Sequence, residues 1–165
     1  MIRAALAVAL LAPALAACGT WSGPAVLLVR HAEKGPGRDP DLTGEGRRRA
    51  LALVDIARER GVTAVIHTQF KRTAQTAEPL ATHLGLPLLQ VEYTPDQEDQ
   101  FADDVFRTIQ EKFPGQSVLV VGHTTTIPVF MRKLGVENPR KIPETEYGVV
   151  YAVSGSYVEE VHFGN

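Results

Sequence analysis

Two continuous apolar runs constrain this chain more than any other feature. Ala25-Val-Leu-Leu-Val-Arg30 and Ser117-Val-Leu-Val-Val-Gly122 lack the polar alternation of a half-buried strand. Strands of that kind are buried on both faces, as in parallel sheets with helices on either side. Each run stops at a histidine, His31 and His123. Ligands of open α/β sheets bind at the carboxyl ends of the strands, where loops lead into helices. The two histidines therefore mark one candidate edge.

The remaining chain supplies the alternating elements. Thr43 can cap a helix in which Ala50, Leu53, Val54 and Ala57 recur at helical spacing, and Gly61 can end it. Val62 to His67 reads as a second strand. Arg72 to Leu84 carries Ala74, Ala77, Ala81 and Leu84 on one stripe before Gly85, and Pro79 inside it predicts a kink or a shortened helix. Leu88 to Val91 reads as a third strand. Phe101, Val105, Ile109 and Phe113 mark a helix that ends before Pro114. Thr126 to Leu134 reads as a short helix. The end reads as a hairpin, Tyr147 to Val153 and Tyr157 to Phe163, turning near Ser154-Gly155. The expected fold is α/β, a three-layer sandwich with a mainly parallel sheet and a C-terminal hairpin.

Composition excludes several classes. A length of 165 residues suits one folded domain. With 17 basic against 19 acidic side chains, the chain lacks the footprint of a nucleic-acid binder. Arg47-Arg48-Arg49 reads as a solvated helix start, because consecutive helical residues point in different directions. No His, Cys, Asp or Glu spacing resembles a zinc or calcium site, and neither a phosphate-cradling Gly-x-x-x-x-Gly-Lys loop nor a Gly-x-Ser-x-Gly elbow occurs. His67 reads as a strand-end residue packing on its neighbours, and His83 and His162 as surface residues.

The N-terminus reads as a leader. Arg3 precedes an uncharged stretch, Ala4 to Ala17, which is short of the roughly 20 apolar residues of a membrane span. A basic start, a short apolar stretch and small residues at its end are the parts of a secretory signal peptide. The only cysteine follows directly, so no disulfide can form within the chain. Leu15-Ala16-Ala17-Cys18 resembles the bacterial lipoprotein cleavage motif, in which the cysteine is lipidated. Ordinary cleavage after Ala14-Leu15-Ala16 would instead leave a free thiol. The expected organisation is a signal peptide over 1–17, a lipid anchor and tether over 18–24, and a domain over 25–165. Such a tether reaches at most about 25 Å, placing the domain near a membrane surface. Gly19 stands where the lipoprotein retention signal would be Asp. By resemblance this favours the outer membrane, facing the periplasm.

The strand ends gather a distinct chemistry. Arg30-His31 closes the first strand, Lys71-Arg72 follows the second, and His123 closes the fourth. Arginine forks bind phosphate oxygens in bidentate, charge-assisted fashion. Helix starts after Lys71 and Thr125 can aim free N–H groups at an anion. Histidine is an adequate nucleophile when its other ring nitrogen is held. These are the parts of a phosphoryl-transfer site that needs no metal or other cofactor.

Four ordered motifs together resemble the histidine phosphatase superfamily, also called phosphoglycerate-mutase-like. Leu28-Val29-Arg30-His31-Ala32-Glu33-Lys34 looks like its Arg-His signature, with Ala32 in place of the usual Gly. Asp41-Leu42-Thr43-Gly44-Glu45-Gly46 resembles its Leu-Thr-x-x-Gly stretch. Thr68-Gln69-Phe70-Lys71-Arg72-Thr73-Ala74-Gln75-Thr76-Ala77 resembles its Ser-Pro-x-x-Arg-Thr-x-Gln-Thr-Ala box, and Val120-Val121-Gly122-His123 its second histidine motif. The resemblance implies that His31 attacks phosphorus and forms a phosphohistidine that water hydrolyses. Arg30, Arg72 and His123 would bind the phosphoryl group.

A leaving alkoxide also needs a proton. Thr124 stands where acid-phosphatase-like relatives carry Asp. Glu92 occupies a place comparable to the Glu of mutase-like relatives and is the first candidate donor, with Glu33, Asp96 and Glu98 behind it. Only about five residues separate the third strand from the third helix, which leaves no room for a lid and implies an open, shallow site. Such a site suits a phosphomonoesterase acting on a small phosphorylated substrate or a phosphoprotein better than a phosphomutase. A lipoprotein that binds a phosphorylated ligand without turnover is the alternative.

Overall fold

The computed structural model describes residues 24–164. The expected leader and Cys18 lie outside them. The elements are β1 (Val26–Arg30), α1 (Gly44–Glu59), β2 (Val62–His67), α2 (Lys71–Leu84), β3 (Leu88–Gln90), α3 (Glu98–Lys112), β4 (Ser117–Gly122), α4 (Thr126–Lys133), β5 (Val149–Ser154) and β6 (Tyr157–His162). One six-stranded sheet runs in the order β3-β2-β4-β1-β5-β6. Its first four strands are parallel, and β5 and β6 close it as an antiparallel hairpin. The α/β fold with a mainly parallel sheet is as the sequence predicts.

The apolar runs are explained by the two faces they serve. Leu27, Val29, Leu119 and Val121 pack with Leu53 and Ala57 of α1 and with Ala77 and Leu80 of α2. Leu28, Val118 and Val120 pack on the other face with Phe101, Val105 and Ile109 of α3 and Ile127, Phe130 and Met131 of α4. Every residue of such a strand therefore meets a helix layer, and alternation disappears. Each fully buried Leu or Val contributes roughly 1.5–3 kcal/mol of apolar transfer.

Helix ends follow local rules. The Thr43 side chain accepts from the Gly46 N–H at the start of α1, and Gly61 and Gly85 take left-handed φ of +62° and +64° after α1 and α2. Two expectations are corrected. Of the two outcomes expected at Pro79, the shortened helix does not occur, because α2 continues to Leu84. Fully buried Ala77 and Leu80 hold the helix to the sheet across the hydrogen bond that proline cannot donate. Arg47 and Arg48 are exposed, but Arg49 is not a solvated residue. Its guanidinium grips both Glu33 carboxylate oxygens at 2.7 and 3.0 Å and donates to the Phe163 and Gly164 carbonyls at 3.2 and 3.0 Å. One α1 side chain thus ties the segment after His31 to the C-terminal end of the chain.

Candidate active site

β1 and β4 lie side by side in register, with Arg30 opposite Gly122, so the residues that follow are neighbours. The His31 N–H donates to the Gly122 carbonyl at 3.0 Å, extending the ladder one residue past the strand. The His31 and His123 rings meet edge to face, with centroids 5.5 Å apart.

His31 is 3 % exposed. Its Nδ1 lies 2.9 Å from the Ala32 carbonyl, which can only accept, so Nδ1 carries the hydrogen and Nε2 has a free lone pair. Burial pulls the imidazole down to about 4, and Arg30, Arg72 and Lys34 push the same way against the Ala32 hydrogen bond. At neutral pH the ring is uncharged and nucleophilic.

His123 is held at both nitrogens. Its Nε2 lies 3.1 Å from Thr68 Oγ1, and its Nδ1 lies 3.5 Å from Arg72 Nη2. Thr73 Oγ1 donates toward the Thr68 and Phe70 carbonyls, which leaves it to accept from Thr68 at 2.8 Å. Thr68 in turn accepts from His123 Nε2–H, so the bare Nδ1 faces the Arg72 guanidinium. Burial, then Arg72, His31 and Arg30, pull this imidazole down to about 2. Tyr93 stacks on the ring at 5.2 Å and Phe70 meets it edge-on at 5.5 Å.

The two arginines supply the positive charge. Arg30 Nη1 is taken by the Pro143, Glu144 and Glu146 carbonyls at 3.2, 2.6 and 3.2 Å, and its guanidinium lies 4.2 Å from the Tyr147 ring centre. The Arg72 guanidinium lies 4.3 Å from the Phe70 ring centre and 3.8 Å from Asp39 Oδ1. Burial lowers its proton affinity, with Asp39 opposing. In both residues Nε is buried and no protein acceptor reaches it. A buried donor left unpaired costs about 1–3 kcal/mol, so both sites favour an incoming oxygen acceptor.

The four residues named from sequence, Arg30, His31, Arg72 and His123, thus stand together. Glu92 does not join them: its carboxylate is exposed and accepts from Gln90 Nε2 at 2.7 Å. In an extended segment it alternates with Tyr93, and Tyr93 is the residue turned toward His123. Glu33 is spent on Arg49 and Asp96 is exposed. Glu98 reaches the site only through the Tyr93 hydroxyl, which donates to it at 2.7 Å. At the start of α2 one N–H is already taken, since that of Lys71 donates to Asp39 Oδ1 at 3.0 Å. His67 is buried with Nδ1–H donating to the Thr68 carbonyl at 2.6 Å, while His83 and His162 are exposed, as expected.

Sequence reasoning missed the walls of the site. The connection from β3 to α3 spans 91–97 and is longer than expected, and it carries Tyr93 over His123. The turn before β5 brings Glu144 and Tyr147 beside Arg30 and His31 and forms one wall of the site. Tyr147 was expected inside the hairpin strand. Gly148, at φ +72°, turns the chain before Val149, leaving Tyr147 beside His31. Among the described residues no group of three His, Cys, Asp or Glu side chains could hold a metal ion.

Residues 26–99 match the model of the histidine phosphatase superfamily (branch 1). No curated protein matches the chain significantly. Among solved structures, SixA from Agrobacterium tumefaciens, a provisionally assigned phosphohistidine phosphatase, superposes with a TM-score of 0.63 at 19 % identity, covering 86 % of this chain and 97 % of its own. YhfR of Bacillus stearothermophilus gives 0.62 at 19 % identity, over 86 % and 97 %. A mycobacterial glucosyl-3-phosphoglycerate phosphatase gives 0.62 at 13 % identity, over 79 % and 89 %. These likenesses establish the shared fold.

Proposed function

We propose that this chain, a member of the histidine phosphatase superfamily, hydrolyses phosphomonoesters through a phosphohistidine on His31, with two guanidiniums rather than a metal meeting the phosphoryl charge. One observation carries the reading. A neutral histidine with a bare Nε2 stands beside two arginines whose buried Nε–H groups have no protein acceptor. Phosphoryl oxygens satisfy both donors and place phosphorus before a nucleophile. Nε2 of His31 then bonds to phosphorus as the ester P–O bond breaks, and water hydrolyses the phosphohistidine. The Nδ1–H bond to the Ala32 carbonyl steadies the ring as positive charge develops on it.

Turnover of 4-nitrophenyl phosphate without added metal is expected, with His31→Ala lowering it by more than about 10³-fold and abolishing acid-labile phosphate on the protein. No turnover by the wild type would leave a protein that only binds phosphorylated ligands. Label surviving in His31→Ala would remove His31 as the nucleophile. Small phosphorylated molecules and phosphoproteins are both candidate substrates, and a panel of each on the purified protein distinguishes them.

The reading extends to location. A lipid on Cys18, after removal of 1–17, would hold the domain at the periplasmic face of the outer membrane. The apolar leader and the lone cysteine support this. Cys18→Ser is expected to move the protein from the membrane fraction to the soluble one. A variant that stays with the membrane contradicts the anchor.

A further inference from the structure

The reaction proposed above leaves one requirement unmet, a proton for the leaving oxygen. An alkoxide is a poor leaving group at neutral pH, and a positioned acid typically contributes 10²–10⁴-fold. None of the carboxyl groups picked out by sequence touches the phosphoryl-binding residues.

Glu144 does. Its Oε2 accepts from Arg30 Nη2 at 2.6 Å, and its Oε1 accepts from the Thr124 hydroxyl at 2.7 Å. It therefore spans from the guanidinium of the first strand end to the residue directly after His123. Its own main-chain carbonyl accepts from Arg30 Nη1 at 2.6 Å, which fixes the turn that carries it. The Arg30 edge gripped this way is Nη1 with Nη2, and Nε–H remains for the phosphoryl group. The carboxylate and an incoming phosphate thus share one guanidinium without contesting its Nε–H. The side chain is 77 % exposed, so it lies at the mouth, where a leaving group departs into solvent.

We propose that Glu144 is the proton donor to the leaving oxygen and the proton acceptor for the attacking water, a role that rests on the phosphohistidine reading above. In the free protein the carboxyl is held below the usual carboxylate range, first by the Thr124 hydroxyl and then by Arg30, His31 and Lys34. A phosphoryl group on Arg30 brings negative charge beside it and reverses that balance. The proton enters with a substrate bound as its monoanion and passes to Glu144. As the His31 Nε2–P bond forms, the P–O ester bond breaks and its electron pair stays on the leaving oxygen, which takes the proton from Glu144. In the second step water oxygen bonds to phosphorus, the P–N bond breaks and returns its pair to Nε2, and the Glu144 carboxylate takes the proton of the water.

The test is the dependence on leaving group. Glu144→Gln keeps the size and a carbonyl acceptor but carries no transferable proton. 4-Nitrophenolate departs without a proton, whereas a glycerol or ethyl alkoxide does not. The ratio of kcat/KM for an alkyl phosphate to that for 4-nitrophenyl phosphate is expected to fall about 100-fold in Glu144→Gln. Both substrates losing alike overturns the proposal in favour of Glu144 as a structural brace for Arg30. Both gaining alike overturns it in favour of a carboxylate that merely competes with phosphate. These outcomes leave the phosphatase reading intact, whereas no wild-type turnover of either ester overturns both.

Discussion

The carboxyl ends of β1 and β4 start from the same design and finish differently. Both strands are buried on both faces, they pair in register, and each is followed by a histidine. At the β1 end one ring nitrogen is tied to the backbone and the other is left bare. At the β4 end both nitrogens are engaged, by Thr68 and by Arg72. On the proposed reading the contrast separates the roles: the histidine with a free lone pair attacks, and the doubly held one orients and stabilises. Identity and strand position alone do not tell the two rings apart. The hydrogen bond on the far side of the ring does.

Acid breaks that comparison most strongly. Both rings titrate below the ordinary histidine value in the fold, His31 at about 4 and His123 at about 2. The unfolded chain therefore binds protons first as pH falls. The stability these rings contribute is fully present above about pH 6.5 and is lost with falling pH. The loss for His31 amounts to something on the order of 3 kcal/mol and is complete near pH 4, whereas that for His123 continues toward pH 2. Urea unfolding of His31→Asn and His123→Asn against the wild type from pH 7 to 3.5 measures this, with differences taken because carboxylates such as Glu98 and Glu146, also lowered in the fold, add to every acid limb. His31→Asn is expected to remove an acid loss that levels off at about pH 4, and His123→Asn one that does not. Parallel curves for the two variants would mean that the rings are equivalent.

Arg72 tests the link between the two ends. Lysine in its place keeps a positive charge but loses the buried Nε–H and the fork that reaches toward His123. Arg72→Lys is expected to lower kcat/KM for 4-nitrophenyl phosphate by about 10²-fold, as for loss of one donor to a developing oxyanion. Retention of activity within about threefold would show that charge alone suffices and that the orphaned donor has no part in binding.

Most of this frame was legible in the residues, for a physical reason. The strands are apolar throughout because both faces are covered, and Thr43, Gly61 and Gly85 announce helix ends through backbone chemistry that acts locally. Arg30, His31, Arg72 and His123 are readable because each lies at or just past the carboxyl end of a strand that its apolar residues locate. Glu144 and Tyr147 are not readable. Arg30 reaches them across a separation of more than a hundred residues, from an irregular turn without periodicity. Arg49 misleads in the same way: its charge reads as surface, yet Glu33 and two carbonyls near the C-terminus surround it. Glu92 misleads through alternation, since a one-residue difference decides whether it or Tyr93 turns inward.

The smallest test concerns what the main chain itself demands at the two ends. After β1, Ala32 carries a methyl group buried with Leu42 and Ala50, and the fold has room for it. At β4 there is no such room. A Cβ on Gly122 would lie 2.7 Å from Thr126 Oγ1 and 3.3 Å from Ile127 Cγ1. That hydroxyl accepts from the His123 N–H at 2.9 Å, so pushing it away loosens the turn that presents the ring. Gly122→Ala is expected to cost about 1–2 kcal/mol in urea unfolding through overpacking, together with a several-fold loss of activity as His123 shifts. Ala32→Gly, by contrast, only removes a buried methyl and should cost about 1 kcal/mol with activity retained. Equal activity losses in the two variants would show that the β1 end is as tightly set as the β4 end, and that the asymmetry between the histidines lies in their side chains alone.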